Sequence, residues 1–182
     1  WSWWDKNLDA LRRTRDAHEL ELIACCTKFI SLVNPQEHAR YLDGLRESIA
    51  AAKRLDCSVL ISQVGDELSG IPRADQHAGL VTGLQAAAPL VEDAGITLAI
   101  EPLNVLVDHV GYYLIRSDEA FEIVAEVNSP NVKVLFDVYH QQISEGSLTA
   151  NITGNIDKIA HFHSAGVPGR HDLFRGEIDY PF

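Results

Sequence analysis

Residues 97–101 read TLAIE, residues 132–137 read VKVLFD and residues 159–164 read IAHFHS. Each is a short, largely apolar run that carries a group able to hold a metal ion: Glu101, Asp137, and the pair His161 and His163. Runs of this length and character suit strands buried on both faces, as in a parallel sheet packed against helices. Parallel strands bring their C-terminal ends to one side of the sheet. Two carboxylates and an imidazole are thereby delivered to the side where barrel enzymes collect their catalytic groups.

The same alternation extends upstream. Leu20–Phe29 (LELIACCTKF) and Ser58–Gln63 (SVLISQ) read as two earlier strands. Between the strands lie helical patterns: 5–18, a stretch from the Asn34-Pro35 start signal to about Arg54, and 73–94 ended by Gly95. Pro89 is expected to kink the third of these. Ser117-Asp118 reads as the cap of a helix running to Val127, and a weaker pattern over 141–157 is interrupted by Gly146 and Gly154. Strands separated by helices of ten or more residues give an α/β class with right-handed crossovers. No Pro/Gly/Ser linker divides the chain, so 1–182 reads as one domain. Periodicity alone fits an open doubly wound sheet as well as a closed barrel; the absence of a GxGxxG or Walker-type loop disfavours the dinucleotide-binding open sheet.

Of 182 residues, 46% are hydrophobic and 23% charged, ordinary globular values. Lys and Arg number 15 against 26 Asp and Glu, a net charge of −11 that opposes nucleic-acid binding. No run approaches the ~18 apolar residues of a membrane span, and no secretory leader pattern is visible. The start at Trp1 and the lack of any Met suggest a processed or partial chain. Cys25, Cys26 and Cys57 sit in apolar segments without CxxC spacing, which reads as reduced thiols of a cytoplasmic protein.

Taken singly, an acidic residue ending a strand is often a helix cap, and a strand histidine is often a hydrogen-bonded core residue. Three consecutive strands ending this way favour a shared metal site instead. A mixed oxygen and nitrogen donor set suits Mn²⁺, Mg²⁺, Co²⁺ or Zn²⁺. His161 and His163 share a face because side chains alternate along a strand; His163 is nearer the C-terminal end and is the better ligand, with His161 one layer deeper.

Three motifs, EPLNVLVDHVGYYL (101–114), FDVYHQQISEG (136–146) and HFHSAGVPGRHDLFRGEIDY (161–180), resemble the hydroxypyruvate isomerase family. That family belongs to the xylose-isomerase-like TIM barrels, together with ketose 3-epimerases. The resemblance implies a (β/α)₈ barrel of which this chain carries about strands three to seven; a closed barrel of this kind usually takes ~250 residues. It implies a divalent metal, Mn²⁺ or Mg²⁺ first and Zn²⁺ or Co²⁺ next, held by Glu101, Asp137 and His163. Glu101 would also be the catalytic acid/base. His140 resembles a histidine that contacts a substrate oxygen, and Arg170 an arginine that binds a substrate oxygen or carboxylate. Asn104 and His109 would line the pocket, with turn-forming and capping roles as the alternative.

The family's last-strand glutamate, a fourth ligand and second catalytic carboxylate, has no counterpart here. The epimerases' second glutamate falls on Val107, which favours isomerase over epimerase. The implied reaction is conversion of hydroxypyruvate to tartronate semialdehyde, with 2-oxo-tetronate isomerase or ketose 3-epimerase as the neighbouring alternative. From other classes, a metal-dependent nuclease and a non-catalytic binding or assembly module remain. The expected partner is a small oxo-acid or sugar, with neither nucleic acid nor membrane; homo-oligomerisation is compatible with apolar surface at incomplete barrel ends.

Overall fold

A computed structural model describes residues 1–182. Five strands form one wholly parallel sheet: β1 (Ala24–Cys26), β2 (Val59–Ser62), β3 (Thr97–Ile100), β4 (Val132–Asp137) and β5 (Ile159–His163). Their spatial order is their sequence order, β1-β2-β3-β4-β5. A doubly wound sheet reverses direction at a switch point; a sheet that always advances the same way and curls is part of a barrel. The structure is thus an incomplete TIM-type barrel, as the motifs implied.

Helices α1 (Leu8–Ala17), α2 (His38–Arg54), α3 (Arg73–Ala94), α4 (Ser117–Val127), α5 (Val138–Ser144) and α6 (Leu148–Gly154) lie between or before the strands. Their apolar stripes and the outward-facing strand residues form the main core, which includes Leu45, Leu80, Leu84, Leu98, Ile100, Phe121, Val134 and Phe136. On the concave face, Ile61, Ala99 and Leu135 make a second, smaller buried cluster. Barrel interiors are filled in just such layers. No helix is long and apolar enough to cross a membrane, and the three cysteines are free thiols.

Several local readings shift. The first strand narrows from 20–29 to Ala24–Cys26, because β1 is an edge strand that can pair only where β2 offers partners. Asn34 caps as expected, its side chain accepting the Gln36 N–H at 3.1 Å, but Pro35–Glu37 form a single 3₁₀ turn before α2 begins at His38. Helix α3 continues through Pro89, and Gly95 closes it in the left-handed region. The pattern over 141–157 resolves into α5, α6 and a short 3₁₀ turn at Ile156–Lys158; Gly146 (φ 68°) and Ser147 (φ 48°) make the break. Ser117 and Asp118 give α4 no side-chain cap of the usual kind; the Ser117 N–H is taken instead by Glu145, 28 residues further on.

Candidate active site

Side chains alternate along a strand, so Glu101, Asp137 and His163 each lie two residues beyond a concave-face residue: Ala99, Leu135 and His161. They form the next layer toward the C-terminal rim. Between β4 and β5 the register steps from Val134↔Ile159 to Leu135↔His161, leaving Ala160 as the extra residue. That bulge turns His161 and His163 inward, opposite Leu135 and Asp137. The two rings stand edge to face with centroids 5.0 Å apart, one layer separating them as the spacing predicts.

Both carboxylates are buried, Glu101 to 6% exposure and Asp137 to 2%. His163 Nδ1 lies 3.3 Å from Glu101 Oε1 and 3.9 Å from Asp137 Oδ2. The Glu101 carboxylate raises the His163 imidazole above its ordinary value, against the effect of burial, whereas burial and the neighbouring His163 lower His161. Asp137 divides its oxygens. Its Oδ1 caps α5 by accepting the N–H groups of Tyr139 (2.8 Å) and His140 (3.3 Å), and Oδ2 is left facing the site. Glu101 is steadied from behind: the buried Tyr112 hydroxyl donates to its carbonyl oxygen at 3.1 Å and accepts the Val64 N–H at 2.8 Å.

The other expected residues converge on the same place. His140, 1% exposed, has Nε2 3.6 Å from Asp137 Oδ2 and 3.5 Å from Arg170 Nη2. Burial, the largest influence on it, pushes its imidazole down to about 4. Glu101, Asp137 and His140 offer donor atoms all within 4.8 Å of one another, so the compact donor triad contains His140, where the sequence pointed to His163; His163 adds a second imidazole within 4 Å of both carboxylates. Arg170 lies 4.0 Å from Asp137 Oδ2 and packs over the Tyr139 ring at 5.1 Å. The His109 ring stands 5.2 Å from that of His140. Asn104 is fully buried one step behind, its amide directed at His140. The sequence singled out none of Tyr139, Tyr112 and Asp108; Tyr139 and Asp108 are joined by a 2.9 Å hydrogen bond. Their signal was weak: Asp108 falls four residues after Asn104 in a stretch with no helical or strand periodicity.

Two buried carboxylates, with His140 completing a donor triad and His163 beside them, are a donor set of the kind that can hold a divalent cation.

The chain belongs to the xylose isomerase-like TIM barrel family, whose model matches residues 1–182. Within it, the chain is 33% identical over 148 residues to hydroxypyruvate isomerase of Escherichia coli (strain K12), a match covering 81% of this chain and 57% of that protein. It is 41% identical over 110 residues to 2-oxo-tetronate isomerase of Cupriavidus necator, covering 60% of this chain and 42% of that one. The chain therefore spans about half the length of these curated relatives. Among solved structures, AP endonuclease family 2 from Brucella melitensis superposes with a TM-score of 0.92 at 28% identity, over 98% of this chain and 71% of that one. The IOLI protein, solved with a zinc atom, shares the fold at a TM-score of 0.77 and 19% identity, over 96% of this chain and 62% of that one.

Proposed function

We propose that this chain carries the metal-binding and proton-transfer part of an isomerase acting on small 2-oxo acids with a neighbouring hydroxyl group, hydroxypyruvate first and 2-oxo-tetronate next. The observation that supports it most is the meeting of buried Glu101 and Asp137 with His163 at the C-terminal rim of consecutive strands. Glu101, Asp137 and His163 would hold the cation, Mn²⁺ or Mg²⁺ ahead of Zn²⁺ or Co²⁺. Such an ion would offset the negative charge that grows on the substrate's oxygens as a carbon-bound proton leaves.

The chain's own groups carry the rest. Glu101 would take a proton from C3 of hydroxypyruvate, leaving an enediolate; its return at C2, with the C3 hydroxyl proton passing to the C2 oxygen, moves the carbonyl to C3 and gives tartronate semialdehyde. His140 serves as a hydrogen-bond donor to a substrate oxygen, since its Nδ1 is already engaged by the Asn104 amide at 2.7 Å. Arg170 pairs with the substrate carboxylate, and its guanidinium suits a two-pronged contact. His109 closes the pocket beside His140. A metal-dependent nuclease has the fold in its favour, but a net charge of −11 opposes a phosphate backbone.

Purified protein containing this chain, supplied with Mn²⁺ or Mg²⁺ in D₂O, should exchange the C3 protons of hydroxypyruvate and produce tartronate semialdehyde, followed by ¹H NMR. Glu101→Gln should reduce the rate by at least ~100-fold. No exchange with hydroxypyruvate or any longer 2-oxo acid, in the presence of metal, defeats the reading.

A further inference from the structure

The loop after β3 contains an amide whose four hydrogen-bonding positions are all used. Asn104 Oδ1 accepts the backbone N–H groups of Val107 at 3.0 Å and Asp108 at 3.2 Å. Asn104 Nδ2 faces Asp108 Oδ2 at 2.9 Å and His140 Nδ1 at 2.7 Å. The Tyr139 hydroxyl donates to the same Asp108 oxygen at 2.9 Å, fixing that carboxylate in turn. Rotating the amide by half a turn would set its NH₂ against two N–H donors and its oxygen against a carboxylate. All four hydrogen bonds would be lost to gain at most one, so the amide orientation is determined by its surroundings.

The consequence falls on His140. Its Nδ1 meets donors only, the Asn104 side-chain NH₂ and the Asn104 backbone N–H at 3.3 Å. A neutral imidazole has one N–H and one lone pair, and which nitrogen carries which is set by the partner of the other. The lone pair must be at Nδ1. The opposite nitrogen has only long contacts, 3.6 Å to Asp137 Oδ2 and 3.5 Å to Arg170 Nη2, and neither competes with a bond of 2.7 Å.

We infer that Asn104 is a positioning residue that, braced by Asp108 and Tyr139, fixes His140 in the Nε2–H form and so makes it a hydrogen-bond donor toward the reacting oxygen. This inference rests on the isomerase reading for its catalytic meaning, but the tautomer itself follows from the hydrogen bonds alone. It also separates the two imidazoles near the carboxylates: a ring with a proton on Nε2 has no lone pair there for a cation, so His163 is left to supply the nitrogen ligand. Asn104 then acts behind the pocket wall, on the histidine rather than on substrate.

The test is a long-range ¹H–¹⁵N correlation spectrum of uniformly ¹⁵N-labelled protein near neutral pH, with and without Zn²⁺. The His140 signals are identified by their loss in His140→Gln. The expected pattern has Nε2 protonated and Nδ1 bare, unchanged when Zn²⁺ is added. A proton on Nδ1, or a Zn²⁺-induced change at His140 Nε2 that marks ligation, overturns the inference. Asn104→Asp keeps the oxygen that receives Val107 and Asp108 but replaces the NH₂ with an acceptor, so the His140 proton should move to Nδ1. If two adjacent carboxylates prevent folding, Asn104→Asp with Asp108→Asn makes the same exchange without juxtaposing them. Should these folded variants retain the Nε2–H form, Asn104 is not what fixes the ring. In the active enzyme, Asn104→Asp should lower kcat by ~10–100-fold with KM little changed. Absence of isomerase activity with the tautomer as expected would refute the function and leave the positioning intact.

Discussion

Asp137 accepts the backbone N–H of His140 through Oδ1 at 3.3 Å and approaches that residue's ring nitrogen Nε2 to 3.6 Å through Oδ2. One carboxylate thus starts the helix that carries His140 and also faces the pocket His140 lines. The two duties can be separated by substitution. Asn is about as good an N-cap as Asp, so Asp137→Asn should stay within about 1 kcal/mol of the parent in urea denaturation, while Asp137→Ala should lose about 1–2 kcal/mol. Both should lose Mn²⁺ binding in calorimetric titration. If Asp137→Asn bound Mn²⁺ as tightly as the parent, Asp137 would not be a ligand.

The buried His140 makes a specific demand on pH. Its folded-state value is pushed down to about 4, with burial the main cause; Arg170 and His109 push the same way, and Asp137 and Asp108 oppose them. The unfolded chain has its histidines near 6.5. Between those values the unfolded state binds a proton that the folded state refuses, so stability rises with pH and falls on acidification from about 6.5 toward 4. His163 is shifted upward and contributes the opposite slope. Urea midpoints for the parent and His140→Gln, compared at pH 7 and pH 5 in EDTA, isolate the His140 contribution. The parent should lose more stability on acidification than the variant. Equal losses would show that His140 titrates normally in the folded protein.

How much of this could be read from residues alone depends on the range of the interactions. The strands TLAIE, VKVLFD and IAHFH were legible because each is a local run of apolar residues, and the parallel arrangement followed from the helices between them. The shared face of His161 and His163 needed only the strand repeat. The bulge at Ala160, which sets that face inward, depends on pairing with β4 and left no mark in the sequence. Edge position cut β1 to three residues although its apolar run is longer. Asp108 and Tyr139 stayed hidden for the same reason: their roles arise from contacts across 31 residues of chain.

Two glycines should respond in opposite ways to alanine. Gly83, inside α3, has no room: a methyl group there would lie 2.9 Å from both His38 Nε2 and Leu32 Cδ2. His38 is itself held by a 2.8 Å contact with the Leu32 carbonyl, so neither neighbour yields readily. Overpacking should outweigh the gain in helix propensity, leaving Gly83→Ala less stable by about 1–2 kcal/mol. Gly154 ends α6 with nothing within 4 Å of the added carbon and no positive φ. Gly154→Ala should stabilise by about 0.5 kcal/mol. Thermal unfolding of the pair reads both signs; a stabilising Gly83→Ala would show that α3 and the 32–38 segment leave room for a methyl group.

Glu145 offers a control on the whole site, because it is a buried carboxylate with a structural task only. It follows α5, its side chain is 3% exposed, and one oxygen receives both the N–H of Ser117 at 3.3 Å and the Ser117 hydroxyl. Asn151 Nδ2 donates to the same oxygen at 3.2 Å, and Arg116 approaches the other to 3.5 Å. A negative charge at the start of α4 also meets the positive end of the helix dipole. Removing it leaves the first N–H of α4 without a partner and the Asn151 amide with only the Gly146 carbonyl, at 3.3 Å. A hydrogen bond to a charged group contributes about 1.5–3 kcal/mol, so Glu145→Ala should cost roughly 2–3 kcal/mol in urea denaturation. It should leave Mn²⁺ affinity unchanged, in contrast to Glu101→Gln and Asp137→Asn. That contrast matters because burial and negative charge are common to all three residues; only the convergence of side chains on one point distinguishes Glu101 and Asp137. If Glu145→Ala abolished Mn²⁺ binding in a protein that still folds, general loss of acidic charge would explain the other variants equally well, and the case for a specific site would fail.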